Sequence, residues 1–237
     1  MAIINNFRAL LFDYGGTLDT PAKHWSEIFW EGYQQARVPV RKEEFYDAYV
    51  FAERTLGAEP QRIKRHYNMQ QLVEEKIALQ MQFLHDNHLL PADYESWQAE
   101  GAIVLHSYHT ATEHTAKSAQ ILSEIHAAGK PMALVSNFYG NLNAVLADFA
   151  LLPYFTAVFD SAIVGIRKPD PAIWQLGVDA IRAVIPDVKP EEILVVGDNL
   201  KVDILPAQSL HLTTAHLCPS GVSAAPGMVI KSLEELV

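Results

Sequence analysis

An aspartate closing a short apolar run, followed by two glycines, is the first place in this chain where side chains could do chemistry. The stretch is Arg8-Ala9-Leu10-Leu11-Phe12-Asp13-Tyr14-Gly15-Gly16-Thr17-Leu18. A run of this length is typical of a strand buried on both faces of a parallel sheet. The glycines let the backbone turn sharply and approach a ligand closely. Asp13 then projects from the carboxyl end of a central strand, where open α/β sheets bind their ligands. A carboxylate held there beside a metal can act as a nucleophile. Other polar groups sit at later predicted strand ends: Ser136 with Asn137, Lys168 on its loop, and Asp198 with Asp203. In a parallel sheet these ends share one edge, so the groups can converge on Asp13 and Thr17. Asp13 and Asp198 are hard oxygen ligands suited to Mg²⁺, and Lys168 is a point cation for an anionic substrate. Ser136 and the backbone N–H groups near Asn137 and Gly15–Gly16 can hold phosphoryl oxygens.

The elements that must position these groups follow from hydrophobic spacing. After Leu18, Asp19-Thr20-Pro21-Ala22 reads as a linker with Pro21 stopping the strand. From about residue 24 to 109 only helical patterns appear. The first, residues 24–37, carries Trp25, Ile28, Phe29, Trp30 and Tyr33 on one broad face. Residues 42–56 and 61–90 repeat the pattern, Pro91 ends the third helix, and Asp93 caps a fourth that reaches Tyr108. From Thr112 helix and strand alternate. Predicted helices cover 115–128, 141–149, 172–184 and 203–209, and predicted strands cover 131–136, 157–160, 192–196, 212–216 and 228–230. Such alternation means βαβ crossovers and a parallel sheet. The expected organisation is an α/β core of residues 1–19 and 111–237 interrupted by a helical insertion of residues 20–110. Hinge motion is expected at the two crossings, Asp19–Pro21 and His109–His114. Trp25 and Trp30 are candidates to face the cleft between the two parts.

Composition limits the function classes. The chain has 237 residues, 49% hydrophobic and 19% charged, which marks a globular protein. A net charge of -10 argues against nucleic acid and anionic membrane surfaces as partners. It leaves room for a small anionic substrate held by local cations. The single cysteine, Cys218, excludes an intrachain disulfide and reads as a small core residue. No apolar run approaches the roughly 18 residues of a membrane span, and the first residues, Met1 to Asn6, lack a signal-type pattern, so a cytoplasmic location is expected. The ten histidines show no metal-ligand spacing, and His85 with His88 reads as a surface pair. Oligomeric state is not readable from the sequence.

The ordered set Asp13-Tyr14-Gly15-Gly16-Thr17, Ser136, Lys168 and Gly197-Asp198 with Asp203 resembles the haloacid dehalogenase (HAD) superfamily of hydrolases, with a helical cap inserted after the first motif. The resemblance spans the whole chain. It implies a Rossmann-like parallel sheet core with an all-helical cap, and a Mg²⁺-dependent phosphatase acting on a small phosphorylated metabolite. In that frame Asp13 is the nucleophile that forms an aspartyl intermediate. Asp13, the backbone carbonyl of Gly15 and Asp198 bind Mg²⁺. Gly16, Thr17, Ser136, Asn137 and Lys168 contact the substrate, with Ser136 and Lys168 holding the transferring group, and Asp203 supports Lys168 or the metal's outer shell.

One position departs from the pattern. Family phosphatases carry a second aspartate two residues after the nucleophile as general acid and base, and this chain has Gly15 there. The dehalogenase branch carries tyrosine at that place, but Tyr14 falls one position early, and strand neighbours point to opposite faces. The phosphonate-cleaving branch carries a small residue there and recruits a cap lysine, for which Lys23 is the nearest analogue in position. A placed acid–base group contributes about 10²–10⁴-fold, and electrostatic stabilisation is commonly the larger share. Gly15 therefore implies a weakened phosphatase favouring good leaving groups, with His24 or Asp19 as substitute acids. The alternatives are a protein that binds a phosphorylated metabolite without turnover, and a hydrolase of C–halogen or C–P bonds.

Overall fold

The computed structural model describes residues 2–20, 22–224 and 226–237, so the expected stop at Pro21 lies outside the described residues. Strand β1 (Ala9–Phe12) is buried at all its positions, as its unbroken apolar run requires. It lies at the centre of a six-stranded sheet with β2 (Met132–Ser136), β3 (Ala157–Asp160), β4 (Ile193–Gly197), β5 (Thr213–Leu217) and β6 (Met228–Ile230). The order is β3-β2-β1-β4-β5-β6 and every pairing is parallel. This doubly wound order reverses direction at β1, with β2 on one side and β4 on the other. The crevice at the carboxyl ends beside such a reversal is where ligands bind in open α/β sheets.

Helices α1 (Trp25–Gln35), α2 (Lys42–Ala58) and α3 (Met69–Asp86) lie between β1 and β2, followed by α4 (Trp97–Ala127). Helices α5 (Leu142–Asp148), α6 (Ser161–Val164), α7 (Ala172–Val184) and α8 (Leu205–Ser209) fill the remaining connections. Apolar side chains of α1–α4 form one continuous core with Leu10 and Phe12 on one face of the sheet, while Leu11, Val135 and Val195 pack against α7 on the other. Among the described residues no helix is long and apolar enough to cross a membrane.

Three sequence expectations need correction. The third helix begins at Met69 rather than near residue 61, because Asn68 caps it: its side chain accepts the Gln71 N–H while Gln71 returns to the Asn68 N–H. More consequential is α4, a single helix of 31 residues in place of two helices joined at 109–114. That stretch contains neither glycine nor proline, and Thr110, Thr112 and Thr115 return their hydroxyls to carbonyls four residues back, so polar residues are absorbed without a break. The expected hinge at His109–His114 is therefore continuous helix. Cys218 follows β5 and is half-buried rather than part of the core.

Candidate active site

The strand ends deliver their polar side chains to one place. Asp13 continues β1, its N–H donating to the Val196 carbonyl of β4 at 3.0 Å, and its side chain is buried. The Lys168 ammonium donates to Asp13 Oδ1, to Asp203 Oδ1 at 2.7 Å and to the Val135 carbonyl at 3.2 Å. Thr17 Oγ1 donates to the other Asp13 oxygen at 3.0 Å. Asp13 is thus held at both oxygens by residues from two loops, and Lys168 bridges two carboxylates.

Each partner is fixed in turn. Asn137 Nδ2 donates to the Lys168 carbonyl and Asn137 Oδ1 accepts the Lys168 N–H, both at 2.9 Å. The expected substrate contact at Asn137 thus has its side chain committed to the Lys168 main chain, which leaves its backbone N–H as the group for a ligand. Trp174 on α7 lies beneath the ammonium, its ring centroid 5.2 Å from Lys168 Nζ. Asp203 takes the Asn199 N–H on its second oxygen at 3.1 Å. Ser136 ends β2, buried. The glycines fit where close approach demands them. At Gly16, φ is +91° and a Cβ would lie 2.3 Å from Asp198 Oδ2, while at Gly197 a Cβ would lie 2.6 Å from Asp203 Cβ.

The charges do not balance, and that imbalance is chemically informative. One ligand oxygen from each of Asp13, Asp198 and Asp203 falls within 4.8 Å of the others, and among the described residues Lys168 is the one cation paired with them. Burial and the Asp203 charge push Asp13 up to about 6 despite the Lys168 ion pair. Burial and the charges of Asp13 and Asp203 push Asp198 up to about 8. Burial opposes the Lys168 charge, but the two carboxylates outweigh it and hold the ammonium protonated. A divalent cation would relieve this excess, and buried oxygens from Asp13 and Asp198 are the hard donors Mg²⁺ prefers.

Position 15 is open. A Cβ built on Gly15 meets nothing within 4 Å among the described residues, and the residue faces a cavity of about 230 Å³. Neither substitute acid proposed from sequence is arranged to fill the gap. Asp19 is buried, accepts the Gly16 N–H at 2.7 Å and the Trp25 Nε1–H at 2.8 Å, and does not line the cavity. Burial raises its pKa to about 7, and its role is to tie the glycine turn to α1. His24 lines the cavity, but its Nδ1 accepts the Ser26 N–H at 3.3 Å and caps α1, which places the ring proton on Nε2. Burial lowers its pKa, which disfavours the protonated imidazolium that a general acid needs. Lys23 pairs with Glu31 and does not line the cavity. Of the two tryptophans, Trp25 lines the cavity and Trp30 packs on Phe45.

Sequence reasoning missed a second group of polar residues that line the cavity. Lys76 of α3, 7% exposed, donates to Glu53 Oε1 of α2 and to the Tyr139 hydroxyl, each at 2.8 Å. Tyr139, on the loop after β2, donates to Glu53 Oε2. The signal was present: Lys76 falls on the face defined by Leu72, Val73 and Ile77, where a charge needs a partner.

Comparison with known proteins agrees with this architecture. The family model described as haloacid dehalogenase-like hydrolase matches residues 7–211. Among solved structures, the HAD-hydrolase YfnB of Bacillus subtilis bound to magnesium superposes with a TM-score of 0.59 at 19% identity, covering 97% of this chain and 96% of that one. A HAD phosphatase from Thermococcus onnurineus gives 0.52 at 22% identity, covering 97% and 95%. The L-2-haloacid dehalogenase of Xanthobacter autotrophicus with covalently bound chloropropionic acid gives 0.57 at 18% identity, covering 97% and 96%. No curated protein matches the chain.

Proposed function

This chain belongs to the haloacid dehalogenase-like hydrolase family, and from that premise we propose that it is a Mg²⁺-dependent phosphohydrolase acting on a small phosphorylated metabolite, with α1–α3 and the start of α4 (residues 20–110) serving as a cap. The observation that carries the reading is the gathering of Asp13, Asp198 and Asp203 oxygens within 4.8 Å around a single buried lysine. Asp13, Asp198 and the Gly15 carbonyl would hold the cation, with Asp203 behind them. Bound there, Mg²⁺ offsets charge on the transferring phosphoryl group and on the carboxylates.

The chain's own residues supply the remaining steps. A carboxylate oxygen of Asp13 attacks phosphorus, and the bond to the leaving oxygen breaks in line, giving an aspartyl phosphate. Lys168 and Thr17 orient Asp13 while the Lys168 charge and the Ser136 hydroxyl face the phosphoryl oxygens. Gly16, Thr17 and the Asn137 N–H complete the cradle. Water then attacks phosphorus, releasing phosphate and restoring Asp13. With Gly15 at the acid position, the leaving oxygen takes its proton from solvent, so acyl and aryl phosphates are favoured over alkyl esters.

A second reading has one specific observation in its favour. Halide leaves without a proton, so the empty position 15 would be harmless in C–halogen hydrolysis, where Asp13 would attack carbon. A metal-dependent screen of phosphorylated metabolites, run in parallel with 2-haloacids on wild type and Asp13→Asn, separates the readings. Phosphate release that requires Mg²⁺ and Asp13 is expected, together with a labelled aspartyl-phosphate trapped on Asp13. Halide release without phosphate release would replace the proposal, and ligand binding without either release would make the protein a binding module. The substrate is the expected partner, with neither nucleic acid nor membrane involved, and the setting is cytoplasmic.

A further inference from the structure

The cavity that Gly15 lines also carries a second group of charged residues, from other elements than the aspartates. Its apolar lining is Trp25, Phe29, Tyr49, Leu72, Val73 and Phe138. Lys76, Glu53 and Tyr139 line it too, joined in a closed ring of hydrogen bonds, with Arg167 from the loop preceding Lys168. An ammonium carries three donors. Lys76 spends two of them on Glu53 and Tyr139, its ammonium lies 4.5 Å from the Tyr139 ring centroid, and the third donor makes no hydrogen bond among the described residues. The Tyr139 hydroxyl both gives and receives within the ring. Arg167 makes no ion pair among the described residues.

The charge of this group is positive. Lys76 and Arg167 stand against Glu53 alone, since burial keeps the neighbouring His24 largely neutral at pH 7. Asp160, the other carboxylate felt by Arg167, is turned toward the N–H groups of Gly140, Leu142 and Ala162 and is not a cavity wall. The ring also joins α2 and α3 to the loop after β2, so this group is drawn from both parts of the chain. Its capacity is small. At about 30 Å³ per water, 230 Å³ is roughly seven or eight waters, room for a phosphoryl group and a leaving group near the size of one ring.

We propose that the Glu53–Lys76–Tyr139 ring with Arg167 is the subsite that selects the leaving group, and that it takes a carboxylate at the far end of a compact apolar body. The substrate class is then a phosphorylated hydroxy acid with a ring-sized or branched apolar frame. Its phosphoryl group lies at Asp13, its frame against Trp25 and Phe29, and its carboxylate accepts from Lys76 and Arg167. Glu53 and Tyr139 are positioning residues that hold the lysine in place. This assignment rests on the phosphohydrolase reading for its orientation, with phosphate at the aspartates.

The test compares 4-carboxyphenyl phosphate with its methyl ester, which has the same frame and no charge at the far end. Wild type should show kcat/KM at least about tenfold higher for the acid, the scale of one charge-assisted hydrogen bond. The Asp13→Asn protein should show the same preference in Kd by calorimetry. Lys76→Met should lower both ratios, and the double variant Glu53→Gln with Lys76→Met, which leaves no buried charge unpaired, made in an Arg167→Met background so that both cations are gone, should bring both ratios near one. Because each ratio is internal to one protein, partial loss of folded material does not affect it. Equal efficiency and equal affinity for acid and ester, or a preference that survives in the variant lacking both cations, would overturn the subsite. Hydrolysis without preference leaves the phosphohydrolase reading standing and removes the subsite. Preferential binding without hydrolysis does the reverse.

Discussion

Restoring a carboxylate at position 15 is the sharpest perturbation of the proposed mechanism. In Gly15→Asp the new Cβ has free space, since no heavy atom of the described residues lies within 4 Å, and the φ at this residue is outside the left-handed region. Replacing a glycine at such a site stabilises by about 0.4–1 kcal/mol through the unfolded chain, which helps offset the cost of another acid near Asp13 and Asp198. Those neighbouring charges raise the pKa of the new carboxyl, which favours the protonated form that a leaving-group acid needs. A placed acid contributes about 10²–10⁴-fold, or about 3–5 kcal/mol of barrier. The gain should depend on the leaving group. An alkyl phosphate, whose alkoxide must be protonated, should gain about 10²-fold in kcat, and 4-nitrophenyl phosphate should gain less than about tenfold, because its leaving anion is already stable. The assay is phosphate release in Mg²⁺ buffer, with a melting curve to confirm the fold. A folded variant in which both rates stay level or fall together would refute the claim that the space beside Gly15 is a missing acid site.

The other expectations follow from the same geometry. Gly16→Ala places a Cβ 2.3 Å from Asp198 Oδ2 at a φ of +91°; it should lower kcat/KM roughly 10²-fold by displacing that carboxylate, with a smaller Mg²⁺-induced rise in Tm as the direct readout. Lys168→Met leaves Asp13 and Asp203 buried without their shared cation; unfolding should become easier by about 3–5 kcal/mol, measured in urea at pH 8. Without metal, stability should fall as pH rises: Asp13, Asp19 and Asp198 have folded pKa values of about 6, 7 and 8 against an ordinary 3.8, so the folded state keeps protons that the unfolded chain has lost. Mg²⁺ should reverse that trend, because it competes with protons at Asp13 and Asp198 and binds more tightly as pH rises through 6 to 8; a Tm shift no larger at pH 8 than at pH 6 would place the cation elsewhere.

The site was legible in sequence wherever a polar residue interrupts an apolar run at a strand end. Asp13 after Leu10-Leu11-Phe12, Ser136 after Ala133-Leu134-Val135 and Asp198 after Val195-Val196-Gly197 each carry that mark, and the parallel sheet gathers them. The helices were legible as elements but not in their joints. A Thr- and His-rich stretch looks like a loop because those residues favour caps and turns, yet α4 passes through it on threonine hydroxyls bonded to the preceding turn. The charged ring was illegible because its members come from three elements far apart in the chain, and Glu53 and Tyr139 sit in patterns that also fit a solvated face. Lys76, a lysine on an apolar stripe, carries the one signal that could have pointed there, a charge in need of a partner.

The retained parts of the site argue against a purely binding role on electrostatic grounds. A phosphate dianion brought to this edge without a cation meets the carboxyl groups of Asp13, Asp198 and Asp203 with one lysine between them, and each of them that carries its charge repels the dianion strongly in a buried setting. A binding protein would gain affinity by replacing any of these carboxylates with a neutral group. The structure instead spends Lys168, Thr17, Asn137 and Asn199 on holding Asp13 and Asp203 in place. That investment is useful to a carboxylate that attacks and to a pair that draws in a divalent cation. Under the proposed mechanism, a single empty position at Gly15 would limit which leaving groups can depart and would leave the surroundings of Asp13 intact.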